Sequence, residues 1–381
     1  MRPQVVAIIG DLHFEEAERE KLDAYREVVK ANAFEMVFSL GDMGGYSHSG
    51  TLQSFHEGSE FFADFDRPFH PIVGNHDMEC EDFATDADVL ETWCDVFEKE
   101  KPYYTVDLGS ALAICLSQTR ARVNLGSLHD VVLDDAQIAW FKETVEANKD
   151  RPIFVFSHAP IFASGLRVLQ NLHITTPNAY LNHVDRPERF IEIVEQNDNI
   201  KLWFSAHNHL GQNYEDSIVE TCGCVFAHVG VMAKITRDAT HQGRLLRFDE
   251  GGFELLTVDY DSRETRLDWR TTYQGNRSER LFKPFKPDEG KYFAPSALRQ
   301  DAICLNGSAF QIYRNQLVEY DTQWEAPIGI VAKDCNGGSV QVKDDTLYLT
   351  YANGDVKAFT KNQFGRYFGI FRPNPFRATD I

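Results

Sequence analysis

No apolar run in this 381-residue chain approaches the length of a bilayer span, so a membrane-embedded protein is not expected. Cysteine is sparse. The seven residues (80, 94, 115, 222, 224, 304 and 335) are odd in number and scattered, with no C-x-x-C, which argues against a disulfide framework. Cys222 and Cys224 stand close enough for a redox or metal pair, but the apolar Val225 and Phe226 beside them favour buried free thiols. Positive charge is also short: 38 basic against 58 acidic residues, a net charge of -20. The whole deficit lies before residue 261, where 21 basic face 43 acidic residues; the remainder has 17 and 15. Binding to a nucleic-acid backbone or an anionic membrane is therefore not expected. Only Met1 to Gln4 precede the first strand-like run, Val5 to Ile9, which is too short for a signal peptide and has no small-residue cleavage site. With reduced cysteines, this leads us to expect a cytoplasmic address.

Apolar content of 43% and aromatic content of 12% mark a globular chain, long enough for a large domain plus a smaller one. In residues 1 to 260, short runs apolar on both faces alternate with helical patterns. The runs are VVAII (5 to 9), MVFSL (36 to 40), PIV (71 to 73), ALAICL (111 to 116), IFVFS (153 to 157) and KLWFS (201 to 205). The spacing predicts helices at about 15 to 31, 50 to 65, 86 to 98, 134 to 147 and 187 to 197, the fourth capped by Asp134 or Asp135. Phe55, Phe61, Phe62 and Phe65 form a core stripe on the second. This is an α/β layered domain. From residue 261 to 381 the pattern changes: a β-meander with turns at Asn336-Gly337, Asp344-Asp345 and Asn353-Gly354 follows a connecting stretch over 261 to 300 that carries Pro284, Pro287 and Pro295 and reads as part linker, part strap. We expect a smaller β-rich C-terminal domain there. It holds no catalytic cluster, and capping of a site, homo-oligomer formation and partner binding stand equally for it.

Five of the apolar runs end in residues of metal-binding type: Asp11 and His13 in G-D-L-H, Asp42 in G-D-M-G-G, Asn75, His76 and Asp77 in G-N-H-D, His158 in S-H-A-P, and His207 and His209 in A-H-N-H. Each motif alone has an ordinary reading as a cap, turn or tight loop. Five in order, each at the carboxyl end of a strand where α/β sites assemble, make coincidence a poor account.

In order and spacing these motifs resemble the calcineurin-like metallophosphoesterase superfamily, whose pattern is D-x-H, G-D, G-N-H-[DE], a single H and G-H-x-H, over about residues 4 to 250. The stretch GSLHDVVLDDAQIAWFKE (126 to 143) also resembles a segment of cyclic-nucleotide-phosphodiesterase-like members. The resemblance implies a layered β-sandwich core flanked by helices, and two adjacent divalent or mixed-valence metal ions. It implies that Asp11, His13 and His209 hold one ion, that Asn75, His158 and His207 hold the other, and that Asp42 bridges them. Carboxylate and imidazole donors suit Mn, Fe or Zn, and metals roughly 3.5 to 4 Å apart can share a carboxylate. The implied activity is hydrolysis of a phosphate ester by a metal-bridging hydroxide, a small phosphodiester first and phosphomonoesterase action on a small metabolite second. His76 is placed to contact a phosphoryl oxygen or protonate the leaving group, with Asp77 or another carboxylate orienting its ring.

The chain departs from the pattern twice. Purple acid phosphatases of the superfamily carry a metal-bound Tyr in G-D-x-x-Y; here Gly45 holds that place and Tyr46 follows it, so no tyrosinate-to-iron colour is expected. Ala206 replaces a Gly, which is tolerable while its φ stays negative. Tyr46, His48, Arg120 and Arg122 are further substrate-binding candidates by position. The long insertion 163 to 190, with His173 and His183, is a candidate specificity element. A nuclease would want a basic groove, which the acidic first part denies it. A non-catalytic scaffold is disfavoured because every implied ligand position holds a competent residue.

Overall fold

The computed structural model describes residues 2–80, 82–121, 131–161, 184, 188–234, 236, 238–285, 301–313, 316–321 and 327–360. Two sheets face each other. In the first, β1 (Gln4–Ile9) pairs in parallel with β2 (Met36–Ser39), and β2 in parallel with β3 (Phe69–Pro71). On the other side of β1, an antiparallel series of β10 (Gln242–Asp249), β11 (Gly252–Asp259), β12 (Glu264–Thr272) and β13 (Arg277–Arg280) completes seven strands. The second sheet runs β4 (Tyr104–Asp107), β5 (Leu112–Cys115), β6 (Ile153–Phe156), β7 (Ile200–Ser205), β9 (Cys224–His228) and β8 (Ile218–Thr221). Within it β5, β6, β7 and β9 are parallel.

Strand alternation sorts the core into three layers. Val6 and Ile8 of β1 point between the sheets with Phe38, Phe154, Phe156, Leu202 and Phe204, while Ala7 and Ile9 point outward. Phe38 and Phe156 stack across the sandwich at 4.1 Å. The outer face of the first sheet is covered by α1 (Arg19–Lys30), α2 (Leu52–Ala63) and α3 (Asp86–Val96), through residues that include Phe55, Phe61, Phe62 and Trp93. That of the second is covered by α4 (Asp135–Ala147) and α5 (Glu188–Gln196). Both faces of the central strands are dry, which is why the runs read as continuous hydrophobics. Asp134 caps α4 by accepting from Gln137 N–H at 2.8 Å.

Some expectations shift. The third run is displaced: β3 ends at Pro71, because Val73 N–H leaves the ladder for the Ser117 hydroxyl at 2.9 Å. The boundary expected at 260 does not coincide with the end of the first sheet, which continues through β12 and β13 to Arg280. Trp269 and Thr271 of β12 are buried there, so the first part of the connecting stretch, through Arg280, belongs to the sheet, while 286 to 300 lie outside the described residues. Cys224 is buried, but Cys222 is exposed, since it begins the turn between β8 and β9 with φ at 54°.

Further on, β14 (Ile303–Leu305), β15 (Ser308–Tyr313), β16 (Gln316–Asp321) and β17 (Pro327–Lys333) form a four-stranded sheet. β18 (Ser339–Lys343), β19 (Thr346–Thr350) and β20 (Val356–Phe359) form a meander beside it. The two share a small core of Phe310, Leu317, Val331, Leu347 and Leu349. Asp344 and Asp345, both at positive φ, make the β18–β19 hairpin turn. Among the described residues no helix is long and apolar enough to cross a membrane.

Candidate metal centre

Asp11, His13, Asp42 and Asn75 follow the parallel strands β1, β2 and β3 of the first sheet; His158, His207 and His209 follow β6 and β7 of the second. The loops are tied to one another. His13 N–H donates to Asp42 O at 2.9 Å, Ala206 N–H to His158 O at 2.7 Å, and His207 N–H to the Asp11 carboxylate at 3.1 Å. Gly41 and Gly74 let two of these loops pass close together: a Cβ on Gly74 would lie 2.2 Å from Asp42 Oδ1, and Gly41, at φ 96°, would meet Gly74 N at 2.4 Å.

Six of the seven residues come together in two groups that share Asp42: Asp11, His13, Asp42 and His209, and then Asp42, His158 and His207. Asn75 Oδ1 joins the second at 2.9 Å from His158 Nε2. His13 Nε2 is 2.9 Å from His209 Nε2, and His158 Nε2 is 3.0 Å from His207 Nδ1. Tautomers follow from the outer partners. His13 Nδ1 faces Gly44 O at 3.2 Å and His158 Nδ1 faces Leu40 O at 2.8 Å, so both Nδ1 atoms carry the proton and both Nε2 atoms present lone pairs inward. The His158 lone pair thus meets an amide oxygen, and Asp42 Oδ2 is buried with no hydrogen-bond partner, 3.6 Å from His13 Nε2 and 3.4 Å from His158 Nε2. Acceptors facing acceptors in a dry site are what a cation would satisfy. The donor set of carboxylate, imidazole and amide oxygen fits a pair of divalent ions.

Electrostatics agree. Burial pushes the His13 and His158 imidazoles down to about 3, leaving them neutral. Burial raises Asp11 to about 7 and Asp42 well above the carboxylate range, the cost of holding anions in a dry pocket on protein partners alone. The backbone is strained at the same place. His13 (φ 41°), Asp42 (φ 53°), His207 (φ 67°) and His209 (φ 50°) are all left-handed, each costing on the order of 1–2 kcal/mol. Ala206 is not left-handed, so its methyl group is accommodated.

Around the cluster, His76 is half-buried with its ring 5.2 Å from that of His13. Burial lowers its pKa, but the Asp42 and Glu79 carboxylates outweigh that and bring it up to about 9. Tyr46, 49% exposed, stacks on His13 at 5.0 Å and meets His76 edge-on at 4.7 Å, at the mouth of the site.

Asp77 does not orient His76. Its oxygens accept the N–H groups of Asp42, Met43 and Gly74 at 2.8 to 2.9 Å, so it clamps the G-D loop to the G-N-H-D loop. Glu79, which the sequence motifs did not single out, takes the ring instead: its Oε2 is 2.8 Å from His76 Nδ1. The readable signal was the three-residue spacing. His48 is not brought to the cluster; its ring nitrogens go to Ser47 Oγ at 2.8 Å and Glu57 Oε2 at 2.6 Å, which turns it toward α2. Arg120 is exposed in a bridge to Val132. Arg122, His173 and His183 lie outside the described residues, as does most of the insertion 163 to 190.

A dimetal phosphatase from Danio rerio superposes with a TM-score of 0.50 at 11% identity, covering 68% of this chain and 99% of that one. A purple acid phosphatase from yellow lupin seeds gives 0.46 at 14% identity over 70% of this chain and 53% of its own, and GAP50 of Plasmodium 0.47 at 13% over 75% and 90%. A search of curated proteins finds no match. Residues 5–211 match the calcineurin-like phosphoesterase profile, and the chain belongs to that family.

Proposed function

We propose that this protein hydrolyses a small phosphodiester with a pair of divalent cations, Mn, Fe or Zn. The observation that carries the reading is the pair of ligand groups that share Asp42, whose Oδ2 is buried with no hydrogen-bond partner. Asp11, His13 and His209 would hold one cation, Asn75, His158 and His207 the other, and Asp42 both. Bound there, the cations supply an activated water and offset charge on the phosphoryl oxygens. The chain's own work is positional. His13 and His158 stay neutral because they are dry, and their outer carbonyl bonds fix the nitrogen they present. With Nδ1 committed to Glu79, His76 offers the proton on Nε2 to the leaving oxygen. Tyr46 beside it flanks the leaving group's exit.

The diester reading draws on the segment resembling cyclic-nucleotide phosphodiesterases, of which residues 131 to 143 form the start of α4 and the strand-like approach to it. Hydrolysis of bis- against mono-phenyl phosphates by protein reconstituted with Mn, Fe or Zn separates it from phosphomonoesterase action; strong preference for the monoester reverses the order. For the acid, His76→Ala is expected to keep near-normal metal content and lose about 10²–10⁴-fold in turnover, most on poor leaving groups. Unchanged turnover removes His76 from the mechanism.

A further inference from the structure

We propose that Glu79 is a positioning residue serving two tasks at once: its carboxylate aims the Asn75 amide oxygen at a cation and holds the ring of His76. The proposal rests on the dinuclear reading above.

Asn75, His76 and Glu79 belong to one tight turn, a 3₁₀ segment at His76–Met78 with Asn75 before it and Glu79 after it. In this geometry residues three apart eclipse, so the His76 and Glu79 side chains stand on the same side. Both carboxylate oxygens are used. Oε1 accepts from Asn75 Nδ2 at 2.9 Å, and Oε2 is 2.8 Å from His76 Nδ1.

An ionised carboxylate can only accept. The Asn75 amide must therefore turn its NH₂ outward to Glu79, which leaves Oδ1 facing His158 Nε2 at 2.9 Å inside the cluster. Flipped, the same amide would present N–H groups to a cation and repel it. The ring of His76 obeys the same rule: Glu79 binds it through a protonated Nδ1. His76 is also pinned through its backbone, whose N–H donates to Asp42 Oδ1 at 2.9 Å. One side chain thus couples the ligand of one cation to the proton donor, and the cation held by Asp11, His13 and His209 has no such dependence on it.

Glutamine is the discriminating replacement. It has nearly the same shape but one acceptor, one donor and no charge, so it meets both neighbours only if the His76 ring gives up its Nδ1 proton; otherwise an N–H of Asn75 or of His76 faces another N–H. Metal-free native protein, Glu79→Gln and Glu79→Asp are titrated calorimetrically with Mn²⁺, and the loaded proteins are assayed on aryl phosphate diesters of graded leaving-group acidity. In Glu79→Gln one Mn²⁺ should bind within about threefold of native and the other about 10–100-fold more weakly. Its rate should fall most steeply on the poorest leaving groups. Glu79→Asp, with two acceptors on a shorter arm, should recover part of both effects.

Native-like affinity for both ions in Glu79→Gln overturns the proposal. So does a uniform rate loss across leaving groups that tracks a lower Tm, the mark of a purely structural carboxylate. If Glu79→Gln does not fold, native-like Mn²⁺ affinities and leaving-group dependence in Glu79→Asp overturn it, and a selective loss of one ion supports it. If native protein binds two Mn²⁺ but hydrolyses no phosphate ester, the functional reading fails by itself, and the titration still decides the Asn75 task.

Discussion

The two sheets contribute unequally to the centre. The seven-stranded sheet brings both candidate carboxylate ligands, Asp11 and Asp42, with His13 and Asn75; the six-stranded sheet brings imidazoles alone, His158, His207 and His209. Neither half offers a complete site. The anionic half lies on one side of the sandwich and the neutral half on the other, so the distance between the sheets sets the size of the pocket. Stacking of Phe38 on Phe156 and the dry layer around them hold that distance. Charge is thereby kept on one wall, where Asp42 can reach both groups.

Removing the shared carboxylate should break this division most severely. Asp42→Asn is expected to lower turnover on an aryl phosphate by at least ~10³-fold, since charge stabilisation by bound metal is worth several kcal/mol, and to reduce metal stoichiometry. Elemental analysis of the purified variant checks the second point; two ions per chain with native turnover would show that Asp42 is not shared.

The interface itself comes next. Phe156→Ala leaves a cavity opposite Phe38 and should cost about 3–5 kcal/mol in urea unfolding. It should also weaken Mn²⁺ binding, although the ring of Phe156 packs on Phe38 and Phe204; stability loss with unaltered affinity would mean that the loops hold the site without the sandwich.

The smallest effect concerns the neutral wall. His228 ends β9, buried, donating from Nε2 to Leu210 O at 2.9 Å, and burial pushes it down to about 3. The unfolded imidazole titrates near 6.5, so between about 6.5 and 3 the unfolded chain binds the extra proton and stability falls as pH falls. Going from pH 7 to 5, His228→Gln should lose about 2 kcal/mol less than native protein in metal-free unfolding curves. Equal losses would mean that His228 is already charged or exposed.

Much of this was legible in order along the chain. The apolar runs became strands because both faces are covered, and the five polar endings lie at strand ends because parallel sheets leave their carboxyl edges to loops. Asp134 capped its helix as its chemistry required. Asp77 and Glu79 show where a linear reading loses hold. Both are acids beside His76, and which one takes the ring depends on the 3₁₀ turn, which eclipses residue 79 with 76 and leaves Asp77 to the backbone of a loop 35 positions away. His48 has the same lesson: its sequence neighbour is Tyr46, but its ring partner is Glu57 on α2.

Residue types and spacing by themselves determined the layered α/β class, the family resemblance and the identity of the candidate ligands, because periodicity and donor chemistry are local properties. Tertiary structure alone decided that β12 and β13 extend the first sheet, that four site residues adopt left-handed backbone, and that one glutamate serves two neighbours. Those facts depend on which loops cross and at what distance, and only the packing of one sheet against the other sets that.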